Sequence, residues 1–411
     1  MNERPRVAVV GAGAAGLVSA REARREGLDV VVYEASDRVG GVWVYREEVG
    51  ADPAGQRPGG RPHGSLYSSL RTNLPKEVMA FRDFPFEGGR QFPEHARVLA
   101  YLERFATEFG VVRQIRFKTP VEQVMPKPDG GWLVRTAAGE DTFDAVMVCN
   151  GHYSRPRLPD LPGTGDFPSQ MLHSRNYRHP EPFAGKRVVV IGSGASGTDL
   201  AGEIGRVASR VWWCATSFAS EGGPGFDPVQ RKALPRIFLE DGSVELEDGE
   251  RLDAVDAVVF CTGYYYSIPF VPKDVVTSDG TRVEPLYHEL VPPRHSTMAL
   301  VGLPLKIIPF PLFETQAQWF VRRVSGRWSF PSRAEMEAAI ADRQRHRTAA
   351  GRDGRHHHVM GDDQFDYVNR LAAECGADPL PDWFERMARA ARASRLRSPE
   401  SYRDIPISPE G

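Results

Sequence analysis

The sequence has none of the features that would mark a disulfide-bonded, zinc-binding or membrane-spanning protein. Its four cysteines are scattered and form no CxxC pair: Cys149, Cys214, Cys261 and Cys375. This spacing favours neither a disulfide framework nor a zinc site nor a dithiol redox centre. No apolar run approaches the roughly 20 residues that span a bilayer, no charged and apolar leader precedes the first predicted strand, and the tail at 403–411 is polar. We therefore expect a cytoplasmic protein without a membrane anchor.

An excess of charge of either sign is also missing. The chain has 52 Lys and Arg residues against 54 Asp and Glu, a formal net charge of −2. Electrostatics therefore gives no reason to expect nucleic acid or an anionic membrane as a partner. A small-molecule substrate fits better, and a homodimer is left open. The length exceeds the roughly 250–300 residues at which a single hydrophobic core stops growing, which predicts two domains able to bury a large cofactor.

One strand–turn–helix–strand unit occurs twice in the chain, at 6–34 and 187–214. The two glycine turns read Gly11-Ala-Gly13-Ala-Ala-Gly16 and Gly192-Ser-Gly194-Ala-Ser-Gly197. A later strand in each copy carries the pattern D-A-V-x-x-C-x-G, at 144–151 and 256–263. We expect the glycine end of both later strands to face a cofactor. The repeat predicts an α/β fold with two interleaved Rossmann-like dinucleotide-binding domains and C-terminal helices.

The position of the second unit inside the chain sets the predicted domain boundaries. We expect the first domain to begin at 1–160, the second to be inserted at 161–264, and the chain to return to the first domain at 265–411.

Three local patterns complete the predicted organisation. Alternating residues at 119–144 indicate a small antiparallel meander, and the Pro- and Gly-rich stretch at 155–182 indicates a linker into the second domain. The chain is expected to end in three helices. Ser332 followed by Glu335 opens the first of them with a capping box.

The first glycine turn has the features of a flavin dinucleotide site. In such turns the first glycine permits the tight bend, the second admits the pyrophosphate, and the third lets helix and strand pack closely. The helix N-terminus adds a partial positive charge. Glu34, at the end of the second strand, can accept hydrogen bonds from a ribose diol, and the paired glycines before Trp43, including Gly41, can approach the phosphates. We assign FAD to this turn.

The second turn is assigned to a nicotinamide cofactor. Its candidate contacts are Gly192, Ser193, Gly194, Ser196 and Gly197. Two adjacent dinucleotide folds indicate hydride transfer from nicotinamide to flavin. Since no nearby cysteine pair could pass electrons to a disulfide, the remaining acceptors are O2 or a bound organic molecule.

Several longer segments resemble the flavin-containing monooxygenases, and among them the plant S-oxygenases that act on thioether side chains. The similarity extends over essentially the whole chain and includes 69–81, 149–154, 261–264, 301–304 and 313–317. The family motif FxGxxxHxxx(Y/F) is matched by Phe167, His173 and Tyr177, with Ser169 at the glycine position. Tyr177 favours this family over the related Baeyer–Villiger enzymes.

The resemblance implies a reaction. NADPH reduces FAD, O2 adds to form a C4a-hydroperoxyflavin, and a thioether sulfur or amine nitrogen takes up one oxygen atom to give an S-oxide or N-oxide. Asn73 is implied as the catalytic residue at the flavin, although its sequence context also fits a turn asparagine before Leu74 and Pro75. His173 is expected to couple the domains in preference to acid–base chemistry. Further cofactor contacts are implied for Leu70, Thr72, Thr216, Ser217, Thr262, Gly263 and Gln316.

The coenzyme preference is expected to be weakened. Where the family commonly has an arginine for the 2′-phosphate of NADPH, this chain has Thr216 and Ser217. Arg231 or Lys232 could compensate. We expect NADPH to be accepted and NADH to be used measurably.

The remaining motifs have plainer explanations, and other functions stay open. The triplet at 356–358 is expected in a solvated loop with no metal, and Trp212 and Trp213 in sheet packing. A substrate pocket is expected from loops at 216–230 and 310–313. The alternatives are a Baeyer–Villiger or N-hydroxylating monooxygenase, and a nucleotide-binding protein whose flavin chemistry has lapsed.

Overall fold

The computed structural model describes residues 4–49, 52, 64–218, 228–352 and 354–408. The helices in these residues are α1 (Ala14–Arg25), α2 (Lys76–Met79), α3 (His95–Glu108), α4 (Ala195–Gly205), α5 (Pro309–Val324), α6 (Arg333–Ala349), α7 (Asp363–Cys375) and α8 (Asp382–Arg397). The strands are β1 (Arg6–Val10), β2 (Asp29–Tyr33), β3 (Ile115–Arg116), β4 (Val121–Pro126), β5 (Trp132–Thr136), β6 (Gly139–Phe143), β7 (Ala145–Val148), β8 (Arg155–Pro156), β9 (Gln170–His173), β10 (Arg187–Ile191), β11 (Arg210–Cys214), β12 (Val229–Lys232), β13 (Pro235–Phe238), β14 (Val244–Leu246), β15 (Arg251–Leu252), β16 (Ala257–Phe260), β17 (Tyr264–Tyr265), β18 (Thr277–Ser278), β19 (Val283–Glu284) and β20 (Met298–Leu300).

The first parallel sheet has the order β20-β7-β1-β2-β3. Every residue of β7 and all but the first of β1 are buried, as expected for parallel strands covered on both faces. Helix α1 follows the first glycine turn and packs against α5. The antiparallel sheet β4-β5-β6 confirms the predicted meander.

The second parallel sheet has the order β12-β11-β10-β16-β9 and repeats the arrangement of the first. Its first strand, β10, lies between β11 and the returning strand β16, just as β1 lies between β2 and β7. Helix α4 takes the place of α1. The predicted α/β class with two Rossmann-like units is therefore confirmed.

The predicted linker is wrong in part, because 155–182 contains β9. This strand pairs with β16 and completes the second sheet, with His173 opposite Phe260. Only four residues long, β9 is stabilised by this pairing and by the burial of Leu172 and His173, so its own sequence gives little strand signal.

The predicted pocket loop at 310–313 is also wrong, because these residues form the first turn of α5. Pro309 occupies the first helical position, where its missing N–H costs nothing, and Phe310 and Leu312 are buried. The other predicted pocket loop lies partly outside the described residues, at 219–227. Within it, Val229 already belongs to β12.

The chain crosses between the two sheets at one place in the described structure, where β8 leaves and β17 returns as an antiparallel pair. The three terminal helices are α6, α7 and α8, and the capping box of Ser332 and Glu335 opens α6 as predicted. No helix in the described residues is long and apolar enough to cross a membrane.

Candidate active site

The first and third glycines of each turn are required by the protein's own packing. Gly11 has φ +104°, and a Cβ there would lie 2.6 Å from the carbonyl oxygen of Cys149. A Cβ on Gly16 would lie 1.8 Å from the oxygen of Gly11. The second turn repeats both contacts, with 2.4 Å from Gly192 to the oxygen of Cys261 and 1.8 Å from Gly197 to Gly192.

The second glycine of each turn is not explained by protein contacts. Gly13 has φ −76°, and its Cβ would meet only the backbone of Gly41, at an ordinary 3.5 Å. Gly194 has φ −71°, and no described atom lies within 4 Å of its Cβ position. Both residues precede a helix N-terminus that no side chain caps. The space and the free N–H groups fit a pyrophosphate at each turn.

The cysteines of the D-A-V-x-x-C-x-G pattern have a structural role that the sequence did not reveal. Their carbonyl groups close against Gly11 and Gly192, so the later strand of each unit shapes its glycine turn. Burial raises the pKa of the Cys149 and Cys261 thiols to about 12. Both stay protonated at neutral pH, which makes them poor nucleophiles.

Glu34 links the first turn to β2. One carboxylate oxygen accepts the N–H of Ala12 at 2.7 Å and the other accepts the N–H of Ser36 at 2.8 Å. Each oxygen keeps a second lone pair that could accept a ribose hydroxyl. On the other side of the turn, Gly41 faces Gly13, and Trp43 makes an edge-to-face contact with Phe310 at 6.4 Å.

Asn73 lies on a fixed backbone with a free side-chain amide. The neighbouring Thr72 is buried; its N–H donates to Pro93 at 2.9 Å and its hydroxyl to Leu74 at 2.8 Å. The amide of Asn73 has no hydrogen-bond partner in the described part of the chain. Leu70 packs against the core of the second sheet, so this segment contacts both units.

The motif histidine is fully engaged by the backbone. Nδ1 of His173 accepts the N–H of Arg175 at 3.1 Å, so the proton lies on Nε2, which donates to the oxygen of Gly263 at 3.0 Å. Burial lowers the pKa of His173 to about 4. A neutral ring with both nitrogens in use favours domain coupling over acid–base chemistry.

The other motif residues also fix the packing of the second unit. Tyr177 is buried and donates to Glu203 at 2.9 Å, while Phe167 packs edge-on against Phe238. Ser169 stands where the family motif has glycine, and its φ is not positive, so the backbone here does not require a glycine. Its hydroxyl donates to the oxygen of Val255 at 2.6 Å.

The predicted contacts of the second site lie around its glycine turn. Ser193 donates to the oxygen of Ser217 at 2.6 Å, and Thr262 donates to the carbonyl of Arg157. Ser196 and Thr216 are exposed beside them. Gln316 is placed elsewhere, in the core of the first unit.

The amide of Gln316 is used twice inside the protein. Its oxygen accepts the N–H of Gly302 at 2.9 Å and its nitrogen donates to Tyr367 at 2.8 Å. The side chain is fully buried. A direct contact of Gln316 with a cofactor stays a prediction.

The two candidate cations near Thr216 are already engaged. Lys232 forms an ion pair with Glu250 at 2.6 Å. Arg231 lies over the rings of Trp213 and Phe218, at 5.7 and 4.9 Å. Trp212 and Trp213 are themselves buried in the sheet, as predicted.

The solvated loop expected for the histidine triplet is wrong in part: His356 is exposed, but His358 is only 1% exposed. Its Nε2 accepts the N–H of Val283 at 2.9 Å, and its Nδ1 bonds the carboxylate of Glu289. Burial raises the pKa of Glu289, but His358 and the neighbouring Arg343 and Arg347 outweigh it and hold the pKa at about 2.

His357, His358 and Glu289 bring their ligand atoms within 4.8 Å of one another. Both ring nitrogens of His358 are nevertheless occupied, and Arg343 lies 2.9 Å from the carboxylate. This arrangement is typical of a compensated buried charge. That the chain uses no metal stays an expectation.

The fold and the paired glycine turns define a protein with two Rossmann-like nucleotide-binding units. Residues 4–220 and 232–386 match the flavin-binding monooxygenase-like family, and the chain belongs to that family. It is therefore a monooxygenase that uses a flavin and NADP(H), O2 and a small-molecule substrate.

Relatives support this assignment over nearly the full length. Flavin-containing monooxygenase FMO GS-OX-like 4 of Arabidopsis thaliana is 41% identical, over 97% of this chain and 93% of that protein. The structure of S-allyl-L-cysteine S-oxygenase from Allium sativum is 42% identical, with a TM-score of 0.92 over 98% of this chain and 95% of the other. Tmm from a Pelagibacter strain, 23% identical with a TM-score of 0.83 over 97% and 93% of the two chains, shares the fold.

Proposed function

We propose that this chain is an FAD- and NADPH-dependent S-oxygenase that transfers one oxygen atom from O2 to the sulfur of a small thioether, with amine nitrogen as a second acceptor. The observation that carries the proposal is the free amide of Asn73 beside a buried, hydrogen-bonded Thr72. The chain also has two glycine turns whose second glycine, Gly13 or Gly194, would place a Cβ in space that the protein does not fill. The similarity to an S-allyl-L-cysteine S-oxygenase favours sulfur over nitrogen.

The first site would hold FAD. Gly11 and Gly16 would shape the turn and Gly13 would admit the pyrophosphate. Glu34 would bind the ribose, and the segment from Gly41 to Trp43 would lie against the phosphates. The segment with Leu70, Thr72 and Asn73 would face the ring. When bound, the flavin supplies the oxygen-activating chemistry, and the protein needs no nucleophile of its own.

The second site would hold the nicotinamide cofactor. Gly192 and Gly197 would shape the turn and Gly194 would admit the pyrophosphate, with Ser193, Ser196, Thr262 and Gly263 beside it. The hydroxyls of Thr216 and Ser217 are neutral donors for a 2′-phosphate. Because Lys232 already pairs with Glu250, we propose only moderate selectivity for NADPH over NADH.

The protein's own contribution would be exclusion of water and alignment. The Asn73 amide would donate and accept at the face of the ring, while His173, Phe167 and Tyr177 would hold the two units together. The assignments of 1–160 and 265–411 to the FAD-binding domain and of 161–264 to the nicotinamide domain belong to the same proposal.

Two measurements on purified protein test the proposal. NADPH added without oxygen should bleach the yellow flavin spectrum. With air restored, a thioether should be consumed together with O2 and gain one oxygen atom by mass. A cyclic ketone and a tertiary amine in parallel assays separate the Baeyer–Villiger and N-oxygenation alternatives. Protein that is colourless, or yellow but not bleached, would instead favour a nucleotide-binding protein with lapsed flavin chemistry.

A further inference from the structure

Arg403, in the C-terminal segment after α8, contacts both dinucleotide units. Its Nε donates to the carbonyl oxygen of Thr72 at 3.1 Å, and its Nη2 donates to the carboxylate of Asp199 at 2.6 Å. Thr72 directly precedes Asn73. Asp199 lies one turn into α4, the helix that begins at the second glycine turn.

Asp199 is shared with the first unit from a second direction. The hydroxyl of Tyr67 donates to the same carboxylate oxygen at 2.6 Å, and the hydroxyl of Ser69 bonds Glu203 one turn further along α4. Side-chain hydrogen bonds therefore connect the segment 65–73 to α4. Arg403 adds a further connection at the end of this segment, next to Asn73. The side chains of Arg403 and Asp199 are only 18% and 19% exposed, so water screens the pair weakly.

The tail itself is held in place. Arg71 donates to the carbonyl oxygen of Arg403 at 2.6 Å and to the carboxylate of Asp404 at 2.7 Å. Further on, Ile407 and Gln91 exchange two hydrogen bonds, at 2.7 and 2.8 Å. Arg403 is thus presented by an anchored backbone. A guanidinium can donate in two directions at once, which a lysine ammonium on one flexible stem does less well.

These hydrogen bonds connect the two units at a place separate from β8 and β17, where the chain itself passes between the sheets. We propose that Arg403 is a positioning residue: by joining the backbone beside Asn73 to Asp199 on α4, it sets the Asn73 amide against the second dinucleotide unit. The tail thereby takes part in coupling NADPH oxidation to oxygen transfer. The claim about coupling NADPH oxidation to oxygen transfer rests on the proposed function. The claim that Arg403 connects the segment 65–73 to α4 does not depend on it.

The first test measures amide hydrogen exchange in the flavin-loaded protein as purified. In Arg403→Ala, exchange at 65–73 and in α4 should rise about tenfold, the ratio expected when one charge-assisted hydrogen bond is lost. Arg403→Lys should change the same segments by a smaller factor, and it decides the question if the alanine variant does not fold. Arg397→Ala, which removes an exposed arginine at the end of α8, is the matched control. Unchanged exchange at 65–73 in the folded Arg403 variants overturns the proposal.

The second test separates positioning from general stability. In Arg403→Ala, the fraction of NADPH oxidation that ends as hydrogen peroxide should rise severalfold, while flavin content and the rate of flavin reduction stay at the wild-type values. Asp199→Asn should have a similar effect. The double variant should show less than the sum of the two single effects, because the residues share one contact, although each also has a contact of its own, Arg403 with Thr72 and Asp199 with Tyr67. Additive effects overturn the assignment. If wild-type protein oxygenates no thioether, the proposed function fails, while the exchange result still decides whether Arg403 connects the segment 65–73 to α4.

Discussion

At the scale of single residues, a substitution at Gly13 should separate folding from flavin binding. The protein itself tolerates a Cβ there, since the nearest atom would be 3.5 Å away, whereas valine adds two methyl groups toward the space assigned to the pyrophosphate. Gly13→Val should therefore fold and purify colourless. Gly202→Ala, inside α4 with no described atom near its Cβ position, is the control and should keep the flavin. Absorbance spectra and melting temperatures distinguish the variants, and a full flavin spectrum in Gly13→Val would contradict the assignment.

Asn73→Ala should oxidise NADPH yet release hydrogen peroxide in place of oxygenated product. Hydride transfer precedes oxygen chemistry, so flavin reduction should keep its rate. Removing one preorganised donor costs about 2.7 to 4 kcal/mol, or 10²- to 10³-fold, in the oxygen-transfer step. Glu77→Ala, at an exposed position four residues away, should remain coupled. The ratio of peroxide to product measures the effect, and normal coupling in Asn73→Ala excludes this residue from the chemistry.

At the scale of secondary structure elements, we expect the residues that follow β11 to set the coenzyme preference. Thr216→Arg should sharpen the preference for NADPH, because a charge-assisted bond contributes about 1.5 to 3 kcal/mol against roughly 0.5 to 1.5 for a neutral one. Glu250→Gln should act in the same direction by releasing Lys232 from its ion pair. Stopped-flow reduction by NADPH and NADH gives the ratio. Wild-type selectivity already above about 10³ and unchanged in Thr216→Arg, equivalent to about 4 kcal/mol, would show that other residues hold the phosphate.

The elements that the sequence predicted well are those with local causes. Both glycine turns, the meander and the capping box of α6 follow from neighbouring residues, and all appear in the structure. Strand β9 was missed because it depends on pairing with β16. The start of α5 was missed because Pro309 and Pro311 suggest a loop unless their position in the first helical turn is known.

In the candidate site, too, the features with local sequence patterns could be predicted and those that depend on long-range contacts could not. The glycines of both turns could be found from spacing, and the sequence resemblance pointed to Asn73. The environment of His358 depends on Glu289, 69 residues away in the chain, and the contact of Arg403 with Asp199 joins residues 204 apart. Such long-range pairs leave no local pattern to read.

At the scale of the whole molecule, stability should fall in mild acid because His173 is buried as the neutral ring. Its pKa is about 4 in the folded state against a usual 6.5. Between these pH values the unfolded chain binds a proton that the folded protein does not, so the free energy of unfolding falls as pH drops from about 6.5 to 4. The difference of about 2.5 units corresponds to roughly 3 kcal/mol.

Glu289 affects the pH dependence of stability in a lower pH range, because the pKa of its carboxyl group is lowered by folding. Its folded pKa of about 2 lies below the usual 4.5, so its contribution is present above about pH 4.5 and is lost as pH falls toward 2.

Unfolding at pH 7.5, 6.5, 5.5 and 4.5, followed by fluorescence, tests the range assigned to His173. The decline should be shallower in His173→Gln than in wild type, with part of the slope kept by His152 and His357, whose pKa values burial also lowers to about 4. Glu289→Gln should instead lose about 3 to 5 kcal/mol at every one of these pH values, since it leaves the surrounding cations uncompensated. Equal slopes in wild type and His173→Gln would mean that His173 binds its proton equally in the folded and unfolded states. That result would contradict the neutral ring inferred from its donated and accepted backbone hydrogen bonds.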